Sequence, residues 1–84
     1  MNWLKDTIDH YRRQGAPTDQ TALISLLREV QMEYGGGIPV YILPTIAQEL
    51  GTKESFLQAV IKRLPSLRLA DQHSREVRWK SRNR

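Results

Sequence analysis

Ala-Leu-Ile-Ser-Leu-Leu-Arg-Glu-Val-Gln-Met-Glu-Tyr, residues 22–34, runs directly into Gly35-Gly36-Gly37-Ile38-Pro39. Leu23, Leu26, Leu27, Val30 and Tyr34 recur at helical spacing and form one apolar stripe. Three consecutive glycines then lose too much backbone entropy to stay helical. The stretch predicts a helix that starts at Thr18 or Asp19, just after Pro17, and ends at Tyr34. Similar punctuation recurs on both sides, so the fold class expected is mainly α.

Upstream, a helix is expected from Asn2 to Gln14. Asn2 can cap it, Asp6 adds negative charge near the positive end of its dipole, and Arg12 and Arg13 suit the opposite end. Leu4, Ile8 and Tyr11 share one face, Trp3 and Tyr11 cover the edge of the core, and Gly15 is a natural stop. Downstream, Pro39 suits a first helical turn, whereas Pro44 would crowd the carbonyl of Val40 in a continuous helix. The reading is a short turn over 39–43 and a helix from Pro44 to Leu50, with a kink as the alternative and Gly51 as the stop. Thr52 is expected to cap the last helix. Phe56, Leu57, Val60, Ile61 and Leu64 would face inward, and Pro65 would end it.

Beyond Pro65 the period changes from helical to alternating. Leu67 and Leu69, then Val77 and Trp79, alternate with polar residues around Asp71-Gln72-His73-Ser74. This reads as a short C-terminal β-hairpin. The expectation is a single domain over residues 1–80, a four-helix bundle plus hairpin, with residues 81–84 a disordered basic tail.

The chain has 84 residues and no cysteine. A domain of this size has a thin core, and no disulfide or cysteine metal site can brace it. Iron–sulfur, zinc-thiolate and thiol chemistry have no ligands here. No apolar run approaches the length of a membrane span. The N-terminus carries Lys5 and Asp6 where a signal peptide would be apolar, so the expected location is the cytoplasm. The net charge is +4; residues 1–70 hold eight Lys/Arg against seven Asp/Glu, and residues 71–84 hold five against two. That excess suits either an anionic surface or a solvated end.

Few residues have the company that chemistry needs. Asp6, Asp9 and His10 lie within one turn, but a tight metal site needs more converging ligands, and His73 is the other histidine. Glu29 and Glu33 are also one turn apart; paired carboxylates do chemistry only when a cleft holds them. The three glycines lack the Gly-Lys-Ser/Thr or the preceding strand of a phosphate loop. No histidine is placed beside a serine or threonine as a nucleophile's base. No catalytic, cofactor-binding or metal residue is therefore assigned, and no cofactor is expected. One pattern belongs to binding: Ile46 through Leu57 has the layout of a helix-turn-helix. Ala47 packs in the first helix, Gly51 makes the turn, and Val60 and Ile61 lock the second. Lys53, Ser55 and Gln58 would be its exposed donors, although Glu54 would face phosphates unfavourably.

The order of these segments resembles a known family. Residues 22–34 leading into Gly35-Gly36-Gly37-Ile38-Pro39, followed by Ile46-Ala47-Gln48-Glu49-Leu50-Gly51, are similar to the N-terminal helical region of the 24-kDa subunit of NADH:quinone oxidoreductase. Related subunits occur in bidirectional hydrogenases and NAD-dependent formate dehydrogenases. Ser66-Leu67-Arg68-Leu69 and then His73 to Val77 look like the family's exit from its last helix into a strand. The resemblance covers about 60 residues, from 17 to 77. It implies a helical bundle leading into a thioredoxin-like domain whose four cysteines hold a two-iron, two-sulfur cluster. Arg78-Trp79-Lys80 stand where the first cysteine pair would follow, so no cluster ligand carries over to any residue. It also implies contact with a flavin- and NAD-binding subunit.

The function expected is a non-catalytic interaction module, a truncated relative of the 24-kDa subunit that is not itself an enzyme. It would bind such an oxidoreductase partner or self-associate as a homodimer through the hairpin edge. The alternative is a winged-helix nucleic-acid-binding protein.

Overall fold

Four helices follow one another in the computed structural model, which describes residues 2–70: α1 (Trp3–Arg13), α2 (Gln20–Glu33), α3 (Leu43–Leu50) and α4 (Glu54–Arg63). A 3-10 turn, Val40–Ile42, precedes α3. The chain is mainly helical, and among the described residues there is no strand beyond a single isolated bridge.

Each helix end has a local cause. Asn2 Oδ1 accepts from the Lys5 N–H at 3.1 Å and starts α1. Asp19 Oδ1 accepts from the Ala22 N–H at 3.0 Å and starts α2. Both caps satisfy amides that have no partner within the helix. Leu43 and Pro44 open α3, and Pro44 occupies a first-turn position where no amide hydrogen is needed. Gly51 closes α3 in the left-handed conformation, φ 73°. Its N–H donates to Gln48, and the Thr52 N–H reaches back to the Ala47 carbonyl at 2.9 Å. This is a Schellman closure. It also corrects the expected cap of α4. Thr52 belongs to the end of α3, so Lys53 takes the N-cap position of α4 and makes no side-chain cap bond.

The core is drawn from every element. Ile8, Leu23, Leu26, Leu27, Ile38, Leu43, Ile46, Leu57 and Ile61 are essentially inaccessible to solvent. Burying each such side chain contributes about 1.5–3 kcal/mol. α1 packs on α2 and on α3, and α3 packs on α4. Leu4, Tyr11, Leu64 and Leu69 are partly buried against the rim.

Two residues expected in the core face outward. Tyr34 is exposed because α2 stops at Glu33 and Tyr34 becomes its C-cap, off the helical stripe. Phe56 is 43 % exposed. The buried arc of α4 is made by Leu57, Val60 and Ile61, and Phe56 lies about 40° beyond its edge at 3.6 residues per turn.

After α4 the chain turns at Pro65 and Ser66, with the Leu67 N–H donating to the Leu64 carbonyl at 3.1 Å, and then pairs with Ile38. Ile38 and Leu69 form a parallel bridge. The Ile38 N–H donates to the Arg68 carbonyl at 2.9 Å, and the Ala70 N–H donates to the Ile38 carbonyl at 2.8 Å. The expected hairpin therefore has its first arm, Leu67 and Leu69, paired with the chain just before the 3-10 turn. Its second arm, with Val77 and Trp79, lies outside the described residues, as does the basic tail 81–84.

Candidate functional site

The glycine triplet and the 66–70 segment form one seam. Gly35 and Gly36 turn the chain with φ of 84° and 111°, a region that side chains with a Cβ avoid. Gly37 has a different reason to be glycine. A Cβ there would sit 3.0 Å from Ala70 Cα and 3.2 Å from Ala70 Cβ. Close backbone approach at Gly37 is what lets Ile38 reach Arg68 and Ala70.

Gln31, on the last turns of α2, completes the seam. Its Nε2 donates to the Ser66 carbonyl at 2.9 Å, and its Oε1 accepts from the Arg68 N–H at 2.8 Å. Arg68 in turn donates from Nε to the Gly36 carbonyl at 2.8 Å. The Ser66 carbonyl, the Arg68 amide and carbonyl, and the Ala70 amide are thus all satisfied along one edge of the segment. Helix periodicity gave no hint of this role for Gln31; a polar residue just ahead of a glycine turn was its sole signal.

The acidic pairs are dispersed into separate contacts. Asp9 accepts from Arg12 at 3.0 Å, and His10 Nε2 lies 2.9 Å from Gln14 Nε2. Among the described residues no group of three or more His, Cys, Asp or Glu converges as a metal site; His73 lies outside them. Glu29 and Glu33 part company as well. Glu29 accepts a hydrogen bond from the Tyr11 hydroxyl, tying α2 to α1. That bond holds the proton on Tyr11 and raises its pKa above 10.0; desolvation and the charge of Glu29 act in the same direction. Glu33 instead lines a shallow groove of about 450 Å³ with Asn2, Trp3, Leu4 and Tyr34.

Lys5 and Arg12 of α1 meet the end of α3 together. Lys5 Nζ lies 3.2 Å from Glu49 Oε1, and Arg12 Nη1 donates to the Glu49 carbonyl at 3.2 Å. Cations are favoured at that negative helix end.

The α3–α4 pair has the internal packing expected of a helix-turn-helix. Ala47, Val60 and Ile61 are buried, and Gly51 makes the turn. Of the expected donors, Lys53 and Ser55 differ from Gln58. Lys53 and Ser55 are exposed, while Gln58 is half-buried and donates to Glu54 at 3.3 Å. That bond occupies Gln58 and leaves Lys53 and Ser55 as the exposed donors of the expected set.

No described helix is long and apolar enough to cross a membrane. Compared with known proteins, the chain matches no family model, no curated protein and no solved structure.

Proposed function

We propose that this chain is a non-catalytic interaction module, related to the N-terminal helical region of the 24-kDa subunit of NADH:quinone oxidoreductase and working in the cytoplasm. Its partner on this reading is a flavin- and NAD-binding oxidoreductase subunit, or a second copy of itself. One observation carries the reading. The Gly35-Gly36-Gly37-Ile38 turn and Gln31 hold residues 66–70 against the bundle. This is the place where the resemblance has the last helix pass into a strand, and the residues that do the holding are among those that carry the resemblance. Exposed Trp3, Met32, Tyr34, Tyr41 and Phe56 offer contact surface of the kind interfaces favour.

The test is sedimentation of the chain with a purified flavin- and NAD-binding subunit, following flavin absorbance. Co-migration is expected. Separate boundaries for the two proteins, with the chain still helical, would sink the partner assignment; a monomer at high micromolar concentration would sink the homodimer.

The α3–α4 packing favours a second reading, a winged-helix nucleic-acid-binding protein. Sequence-specific binding to duplex DNA with a steep salt slope would support it. Weak, sequence-blind binding that is lost when residues 78–84 are removed would mean only a basic tail.

A further inference from the structure

The formal charge of the chain changes sign along its length. Residues 1–52 hold four Lys/Arg against six Asp/Glu, and residues 53–70 hold four against one. Such asymmetry is the footprint of a chain that meets a polyanion with one part of its surface.

The fold gathers this charge around one turn. α4 ends on Lys62 and Arg63, and the turn at Pro65 and Ser66 follows at once. Arg63 is three peptide steps from Ser66, at most about 11 Å. Arg28 reaches the turn from α2, where its Nη2 donates to Ser66 Oγ at 3.5 Å. Gln31, three residues further along the same helix face, holds the Ser66 carbonyl and the Arg68 N–H. Arg68 donates from Nε to the Gly36 carbonyl at 2.8 Å. Arg28, Lys62, Arg63, Ser66 and Arg68 are all exposed.

These cations keep their charge. The acceptors of Arg28 and Arg68 are a hydroxyl and a carbonyl, both neutral. The negative end of α4 offsets only about half a charge for Lys62 and Arg63 together. The residues three and four away from Arg28 along α2 are Ile24, Ser25, Gln31 and Met32, none of them acidic. Glu29 is turned toward Tyr11 of α1. Glu54 accepts from Gln58 at the opposite end of α4, roughly 14 Å from Arg63 along the axis. Among the described residues the ion pairs are Lys5–Glu49 and Arg12–Asp9, and they involve none of these four cations.

We propose that this arginine-rich turn binds the phosphate backbone of duplex nucleic acid without reading its sequence. Arg28, Lys62, Arg63 and Arg68 supply the charge, and the Ser66 hydroxyl is a further donor. Two facts select this partner over an acidic protein or a single strand. Protein interfaces have an apolar core, and residues 57–70 contribute no exposed large hydrophobic side chain. Single strands are held on aromatic platforms, and residues 57–70 contain no aromatic. The surface lies at the end of α4 away from Lys53 and Ser55, so the inference stands apart from both readings above.

The experiment measures fluorescence anisotropy of two unrelated labelled duplexes with the full chain, across a salt series. Wild type is expected to bind both equally. R28Q/K62Q/R63Q should weaken binding by about tenfold or more and lower the slope of log K against log salt by about 2.7, the loss of three phosphate contacts. K5Q/R12Q/R13Q removes the same charge from α1 and should stay within about twofold of wild type if contact at the turn, rather than net charge, holds the duplex. Circular dichroism checks that the helices persist. If the triple variant loses them, K62Q/R63Q repeats the test, since neither side chain makes a hydrogen bond among the described residues. The proposal is overturned if wild type does not bind, if a folded turn variant binds like wild type, or if the α1 variant weakens as much. Polyglutamate or a single strand that competes as well as the duplex would overturn the choice of partner. A strong preference for one duplex would overturn sequence-blind binding and favour the winged-helix reading.

Discussion

The side-chain amide of Gln31 serves Arg68 as a strand neighbour would: Oε1 accepts the Arg68 N–H at 2.8 Å while Nε2 donates to the Ser66 carbonyl at 2.9 Å. Gln31→Leu removes both bonds and keeps similar bulk. It is expected to cost about 1–2 kcal/mol, because two backbone groups lose a partner. Gln31→Glu keeps an acceptor for Arg68 but loses the donor to Ser66, and should fall between. Urea unfolding followed by circular dichroism measures both.

Gly35 and Gly37 are glycines for opposite reasons, and substitution should separate them. At Gly37 the added Cβ of alanine meets the backbone of Ala70 at 3.0 Å. Gly37→Ala should destabilise by about 1–3 kcal/mol through overpacking and loosen the 66–70 segment. At Gly35 the space is open and the cost is conformational, from φ of 84°. Gly35→Ala should cost about 1–2 kcal/mol, and Gly35→Asn should cost less because Asn tolerates that region. Amide exchange at Ile38 and Ala70 should respond more strongly to Gly37→Ala than to Gly35→Ala.

The Tyr11–Glu29 hydrogen bond makes stability depend on alkaline pH. Tyr11 binds its proton more tightly when folded, since the bond to Glu29 raises its pKa above 10.0. A raised pKa means the contribution is complete below the unfolded value and is lost as pH rises through the folded one. Stability of the wild type should therefore decline above pH 10.0, and Tyr11→Phe should remove this component of the decline. Denaturation midpoints of the two proteins across that range provide the check.

Leu57 and Phe56 are adjacent in sequence and opposite in consequence. Leu57 is fully buried, so Leu57→Ala should cost about 2–5 kcal/mol. Phe56 is 43 % exposed, so Phe56→Ala should cost less than about 1 kcal/mol. Against a total stability of about 5–15 kcal/mol for a domain, the first variant should shift the thermal midpoint plainly and the second barely.

The helices were legible because their signals are local. The caps at Asn2 and Asp19, the stops at Gly15 and Gly51, and the stripe of α2 act within a few residues. Pro44 was readable for the same reason: its missing amide hydrogen forces it into a first turn. Thr52 was misplaced because it had two possible employers, the end of α3 and the start of α4, and backbone bonding gave it to α3. Phe56 and Tyr34 were drawn inward by hydrophobicity alone, whereas the width of the buried arc and the end of the helix decided their exposure. The alternation at Leu67 and Leu69 correctly marked a break from the helical period but could not name the segment's partner. Ile38 is distant in sequence, and nothing in a period of two says which strand lies alongside. The groove at Trp3, Glu33 and Tyr34 was unreadable for the same cause, since it joins the beginning of one helix to the end of another.

The Ile38–Leu69 bridge has a consequence for motion. It fastens the chain just before α3 to the chain just after α4, so this helical pair is held at both of its roots by one clasp. Opening that clasp releases the two amides that cross it in a single event. α3 and α4 then remain tied to the rest through α1, which packs on α3. Exchange at the Ile38 and Ala70 amides therefore reports on one opening shared by the two ends of the α3–α4 pair.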